Sequence, residues 1–189
     1  NSVLAALLRL PEVVSPSTEI LNDDDWKELK KVVEAALKEL NHHRTEEGKS
    51  LDNELALRIK NIHAQEEKIL ALEPQRKVRM KEELVQLLEA NVGKENYDTN
   101  RLEQELIYYI EKIDITEEQV RLANHCEYFL TILKDKDEAK GKKLSFVLQE
   151  VGREINTTGS KAYDADIQKC VVLMKDELEK AKEQILNVL

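Results

Sequence analysis

The chain has 189 residues, of which 35% are charged and 4% aromatic, with five Gly, three Pro and a net charge of −9. So few punctuating residues among so much Glu, Lys, Leu and Ala predict long helices, and no alternating β-branched run argues for a sheet. No apolar stretch approaches the roughly 18 residues of a membrane span, and no basic n-region with a cleavage site marks a signal peptide.

The first element is a short helix at about Val3 to Leu10, stopped by Pro11, with Pro16, Ser17 and Thr18 in a loop behind it. Asn22 and the Asp run 23–25 form a helix start, with acidic residues favourable in the first turn. From Trp26 the apolar positions Leu29, Val33, Leu37, Leu40, Leu51, Leu55, Ile59, Ile62 and Ile69 lead on to Pro74, as one very long helix or two joined near Gly48. Pro74 is placed to open a further helix, which runs to about Asn91 and closes at Gly93. Another helix starts near Thr99 and reaches about Lys134, with Asp114 to Thr116 as the point where it can kink. The last, from about Lys161, carries the seam Ile167, Val171, Met174, Leu178, Ala181, Ile185 and Val188. This alternating four-and-three spacing is a coiled-coil pattern and requires a partner helix from the same chain or another. The expected fold is therefore all-α: elongated antiparallel hairpins or a bundle, with coiled-coil-like long helices. Three regions are expected, 1–21, 22–97 and 98–189.

Between the last two helices lies the most informative segment, G-K-K-L-S-F-V-L-Q-E-V-G-R-E-I-N-T-T-G-S-K from Gly141 to Lys161. Read as a helix from about Lys143, it places Leu144, Val147, Leu148, Val151 and Ile155 on one face. Glu150, Glu154, Thr157 and Lys161 step along another, beside a row of Gln149, Arg153, Asn156 and Ser160. A solvated face is ordinarily interchangeable Lys and Glu. Carboxylates, a guanidinium, amides and hydroxyls packed together suit an anionic or metal-bound ligand, although a plain polar face is the simpler alternative.

On the preceding helix, Asp114, Glu118, Arg121 and His125 lie at i, i+4, i+7 and i+11, one stripe if the helix runs straight through Asp114. Carboxylates with a histidine one to three turns away can supply part of a hard-metal site or an acid/base pair. The same spacings also suit exposed ion pairs. His42, His43 and His63 have no ligand spacing and are assigned to surface or interhelical packing. Cys126 and Cys170 read as buried, reduced thiols, with no C-x-x-C pair for zinc. Two basic clusters stand out in the acidic chain: Arg76, Lys77, Arg79 and Lys81 after Pro74, and Lys140, Lys142 and Lys143 before the polar segment. No phosphate loop, H-E-x-x-H or G-x-S-x-G motif is present.

The polar segment resembles the C-terminal signature of the bacterial YicC-like family, G-x-x-L-x-F-x-x-Q-E-x-x-R-E-x-N-T-x-x-S-K. Gly141, Leu144, Phe146, Gln149, Glu150, Arg153, Glu154, Asn156, Thr157, Ser160 and Lys161 all fit it. Upstream, N-R-L-E-Q-E-L (Asn100 to Leu106), Lys112-Ile113-Asp114, Glu117-Glu118, Arg121-Leu122 and His125 fit as well. L-R-L-P-E-V (Leu8 to Val13) is similar to the family's L-R-x-P-G-V, with Glu12 departing from its Gly. Arg44, Glu47, Gly48 and Leu51 match R-E-x-E-G-x-x-L, with Thr45 departing.

The resemblance implies a metal-dependent endoribonuclease of the bacterial cytoplasm, linked to small-RNA turnover and stress and assembled as a homo-hexamer. It implies RNA as substrate and a divalent ion, Mn²⁺ or Mg²⁺, as cofactor. Carried onto matching positions, the catalytic candidates are Glu150, Glu154, His125 and Arg153, and the metal candidates Asp114, Glu118, Glu150 and Glu154. Arg121, Gln149, Asn156, Thr157, Ser160, Lys161, Lys142 and Lys143 are then the RNA-binding candidates. Family members carry a further N-terminal region ahead of the L-R-x-P motif, so residues 1–21 read as the remnant of a missing region, and the oligomer is expected to be smaller. The competing expectation is a non-catalytic helical module that scaffolds an oligomer or delivers RNA to another nuclease.

Overall fold

The computed structural model describes residues 2–7, 9, 22–93, 98–135 and 140–188. Its helices are α1 (Ser2–Leu7), α2 (Asp23–Val92), α3 (Thr99–Ile113), α4 (Thr116–Lys134), α5 (Gly141–Lys161) and α6 (Ala165–Ile185), with no strand among the described residues. The L-R-L-P-E-V stretch and the Pro16 loop lie outside the described residues, apart from Arg9 in a turn.

The chain divides into two units, residues 1–46 and 47–189. In the first, α1 and the opening turns of α2 are exposed along their described length. Asn22 caps α2 as expected: its Oδ1 accepts from the backbone N–H groups of Asp24 and Asp25. Behind that cap, Trp26, Leu29, Val33, Leu37 and Leu40 stand in solvent.

In the second unit, α2 from residue 47 combines with α4, α5 and α6 around one core. Leu55, Ile59, Ile62 and Ile69 of α2 meet Leu122 and Phe129 of α4, Leu144, Leu148 and Ile155 of α5, and Ile167, Met174 and Leu178 of α6. Each such side chain stabilises by about 1.5–3 kcal/mol when fully buried. The α6 seam therefore finds its partners within its own chain. Directions follow from the cross-contacts. Glu118, at the start of α4, meets Lys161, at the end of α5, and Gly159 sits against Val171 of α6. The α4/α5 and α5/α6 pairs are thus antiparallel.

Two expectations about breaks are corrected. Pro74 opens no helix, because α2 passes through it. A proline inside a helix costs about 3 kcal/mol, and anchors on both sides oppose a break: Ile69 before it and Arg76 after it are buried. Conversely, α3 and α4 are separate helices. The Asp114 carboxylate accepts from the backbone and hydroxyl of Thr116 at 3.0 and 2.6 Å, turning the chain between them. The last helix also begins later than expected, at Ala165, where the Asp164 side chain accepts from Asp166 N and Ile167 N.

Gly141 has a structural reason. A Cβ there would lie 2.4 Å from the Val188 carbonyl oxygen, so only glycine lets the α6 terminus pack on the start of α5. Gly93, with φ 84°, ends α2 as anticipated.

Candidate functional site

α4 and α5 lie side by side, and some of the polar residues singled out above meet along their facing edges. Glu150 and Glu154, one turn apart on α5, share an edge. His125 of α4 joins them: one donor atom from each of the three lies within 4.8 Å of the others. Glu154 is buried, at 4% exposure, while Glu150 and His125 are partly exposed, so the cluster opens to solvent on one side. Arg153 Nη1 donates to Glu150 Oε2 at 3.1 Å and is otherwise solvent-facing.

About two turns along α5, Lys161 Nζ donates to Glu118 Oε1 at 2.7 Å. Glu118 is 4% exposed, and its Oε2 is buried with no partner among the described residues. Beside it, Gln119 Nε2 donates to Thr158 Oγ1 at 3.1 Å, tying the two helices together again. Arg121 pairs with Glu117 on its own helix. The Thr157 and Ser160 hydroxyls donate to backbone carbonyls of α5 at Arg153 and Thr157. Gln149 and Asn156 are exposed, as are Lys142 and Lys143, and the Lys143 ammonium stands 5.6 Å from the Tyr128 ring centroid.

Asp114 is elsewhere. Besides Thr116 it binds Lys77 Nζ at 3.1 Å. Burial works against its charge, but the hydrogen bonds from Thr116 and Lys77 prevail and hold its carboxyl at about 2. The stripe from Asp114 to His125 is therefore broken at its first member by the turn that separates α3 from α4.

The basic run after Pro74 is also drawn into the framework. Arg76, 1% exposed, is held by Glu73 at 2.6 and 2.7 Å and donates to the Ile113 carbonyl at 2.9 Å. Arg79 reaches Asp164 at 2.7 Å. Lys140, in the second cluster, donates to the Leu133 carbonyl at 2.6 Å, leaving Lys142 and Lys143 facing outward.

The cysteines are free and buried as expected. Burial, with the Glu66 carboxylate nearby, pushes the Cys126 thiol up to about 12, so its place next to His125 in sequence creates no thiolate nucleophile. Glu66 went unnoticed in the sequence although it fills the apolar row between Ile62 and Ile69. It is buried, and His63 Nδ1 lies 2.6 Å from its Oε2. A groove of about 530 Å³ lies on other elements, between the end of α2 and α3, where Leu84, Leu88, Leu102, Leu106 and Tyr109 make it apolar. It offers volume but little chemistry, so the α4/α5 edge is the better candidate.

An all-helical chain that aligns a histidine and two carboxylates from neighbouring helices belongs to a broad class of helical proteins with potential metal-binding groups. Comparison narrows the class. The sequence model described as "Endoribonuclease YicC-like, C-terminal" matches residues 69–189, and that of the N-terminal region matches residues 1–53. The chain belongs to the YicC-like family. It is 37% identical over 183 residues to a Clostridioides difficile protein named "Probable endoribonuclease YicC", covering 95% of this chain and 62% of that one. A Haemophilus influenzae protein of the same name is 34% identical over 185 residues, covering 98% of this chain and 63% of that one. The chain thus spans a little under two thirds of these relatives' length. Residues belonging to the family's N-terminal region reach to 53, well beyond the 1–21 read from the sequence as its remnant.

Proposed function

We propose that the chain carries the RNA-cleaving centre of a metal-dependent bacterial endoribonuclease, built from His125, Glu150 and Glu154. The observation that carries this reading is the approach of these three side chains, from two helices, to within 4.8 Å. Their relatives' names, "Probable endoribonuclease YicC", supply the reaction class.

The donor set fits a divalent cation. Two carboxylates and one imidazole suit Mn²⁺ ahead of Mg²⁺, which takes nearly all its ligands as oxygen. Electrostatics points the same way, since two carboxylates facing an RNA phosphate repel it unless a cation intervenes. A divalent ion held there supplies positive charge against the phosphate and lowers the pKa of a water molecule. In this reading Glu150 and Glu154 are the carboxylate ligands, while Glu118 and Asp114, engaged with Lys161 and Lys77, support the framework around them.

His125 gives one ring nitrogen to the cluster and keeps the other for hydrogen bonding or proton transfer. Arg153, steadied by Glu150, presents its remaining N–H groups outward for bidentate contact with a phosphate. Arg121 and Lys161 hold phosphates on one side of the cluster, and Lys142 and Lys143 at the start of α5 hold them on the other. The exposed Gln149, Asn156 and Ser160, beside Thr157, are available to the ribose 2′-OH, the group that separates RNA from DNA.

The test is a labelled RNA incubated with the protein and Mn²⁺, then with EDTA. Internal cleavage that the chelator stops is expected. Undiminished cleavage by both Glu154→Gln and Glu150→Gln would remove the catalytic role of α5. The family resemblance extends the proposal to small-RNA turnover in the cytoplasm.

A second reading concerns residues 1–46 and is compatible with the first. Trp26, Leu29, Val33, Leu37 and Leu40 expose an apolar stripe, with Trp26 at 58%. Such a stripe supports assembly into a homo-oligomer, of which the family's hexamer is one form. Light scattering that gives a strict monomer at high concentration would oppose it. No described helix is long and apolar enough to cross a membrane.

A further inference from the structure

We propose that His63 and Glu66 of α2 form a pH-sensitive latch on the α2/α4 seam, closed while the pair holds a shared proton and loosened when that proton is lost. The proposal is independent of the nuclease reading.

The core-facing row of α2 runs Leu55, Ile59, Ile62, Glu66 and Ile69, in steps of four and three. An apolar residue at the fourth position would complete the row, whereas an acid there has to be compensated. Glu66 is 1% exposed, as deeply set as its apolar neighbours. Its carboxylate meets His63 one turn earlier, with the ring Nδ1 2.6 Å from Oε2. The imidazole is half exposed, so the pair reaches from the core to water.

The partner is what sets this acid apart. Glu118 is paired with Lys161, Glu73 with Arg76 and Glu177 with Arg58. Lysine and arginine keep their charge well above neutral pH. Histidine changes its charge between about pH 5 and 8.

The other groups around Glu66 offer no substitute cation. On α2 the exposed Glu67 adds negative charge and lies 4.0 Å from the far ring nitrogen of His63. From α4 the Cys126 thiol faces Glu66, while the neighbouring His125 reaches toward Glu150 and Glu154. Neither α5 nor α6 brings an ionisable group to it among the described residues.

With the proton present, the pair is an imidazolium–carboxylate bond or its neutral equivalent, and no net charge stands in the seam. With the proton gone, the imidazole still donates a hydrogen bond but leaves a carboxylate charge uncompensated beside Ile62, Ile69 and Cys126. Water reaching that carboxylate relieves the charge, and it gets there by parting α2 from α4. Burial holds the Glu66 carboxyl above its ordinary value of 4.5, against the opposing bond from His63. A raised folded value means stability that is complete below the ordinary value and is lost as the pH rises through the raised one. An isoleucine at this position would hold the seam equally at every pH. The latch thus acts on the helix that also supplies His125, without using that side chain.

Cys126 reports on the seam directly. In the full chain carrying Cys170→Ala it is the one remaining cysteine, and it is buried against Glu66. A soluble maleimide therefore reacts with it when the seam opens. Rates are measured in EDTA, so that cations do not contribute, and each variant is compared with the unsubstituted pair at the same pH. Between about pH 6 and about pH 8.5, the ratio of the unsubstituted rate to the Glu66→Gln rate should rise about ten-fold, the consequence of a shift of about one pH unit. His63→Gln, a change at a half-exposed position, removes the switchable cation and should show the opposite trend. Its labelling should be about ten-fold faster than that of the unsubstituted pair near pH 6, the effect of losing a charge-assisted bond, and equal to it near pH 8.5. If Glu66→Gln does not fold, His63→Gln decides alone. A ratio that is the same at both pH values in either folded variant would overturn the latch.

Discussion

Two clusters of charged side chains in the second unit use similar residues to opposite ends. At the junction of α2, α3 and α6, Glu73, Arg76, Lys77, Asp114, Arg79 and Asp164 neutralise each other in alternating pairs, and Arg76 adds a bond to the Ile113 carbonyl. On the α4/α5 edge, His125 and two carboxylates gather, and among the described residues only the exposed Arg153 pairs with one of them. Opposite charges in contact close a structure and leave little for a ligand. Like charges brought together cost free energy in the isolated chain, and a bound cation relieves it. Acids of one sign gathered at a partly open edge are thus the better indicator of chemistry, and a buried arginine the better indicator of architecture.

The largest effect expected from breaking this contrast is on activity. Glu154→Gln keeps side-chain size and removes one charge, and it should reduce Mn²⁺-dependent RNA cleavage by about two orders of magnitude or more. Its unfolding midpoint in urea should stay close to wild type. The reverse pattern belongs to the other cluster. Arg76→Ala empties a buried site, leaves the partly buried Glu73 with Lys77 alone and should lower stability by about 3–5 kcal/mol, measured by denaturant unfolding. Cleavage per folded molecule should persist. If Arg76→Ala were inactive while fully folded, the division between framework and site would be wrong.

A third test is pH dependence. The Asp114 carboxyl sits at about 2 in the folded chain, below its ordinary value of 3.8. A lowered folded value means stability that is present above the ordinary value and is lost as the pH falls through about 2. The stability advantage of wild type over Asp114→Asn should therefore shrink as the pH is taken from 5 toward 2. A difference that does not change across this range would show that the Thr116 and Lys77 contacts do not act through charge.

The smallest effect should come from Arg121 and Glu117, an exposed pair on one helix. Removing either should cost about 0.3–0.5 kcal/mol of stability. If Arg121 contacts RNA, Arg121→Ala should weaken RNA binding in a salt-dependent manner, while Glu117→Gln should not.

Along the chain, legibility followed periodicity. The apolar seam of α6 and the inner face of α5 could be read because residues three and four apart share a helix face whatever packs against it. The α2 pattern shows the limit: its rows from Leu29 to Leu40 and from Leu55 to Ile69 look alike, yet the first is exposed and the second buried. Periodicity identifies a face and says nothing of its partner. Pro74 and Asp114 mark a second limit. A proline that usually opens a helix was carried through by neighbouring anchors, while the expected kink at Asp114 to Thr116 became a full break, the Asp114 carboxylate accepting from Thr116 and Lys77.

The candidate site was legible in its members more than in its grouping. Glu150 and Glu154 could be paired from sequence because four residues make one helical turn. That His125 joins them, while Glu118 goes to Lys161 and Asp114 to Lys77, depends on the antiparallel register of α4 against α5 and on where α3 stops. The sequence by itself determined an all-helical chain, its membership of a family and the side chains able to do chemistry, because these follow from local spacing and residue type. Only the tertiary structure decided which charges cancel and which converge, because electrostatic pairing depends on distances across helices that no spacing along one helix encodes.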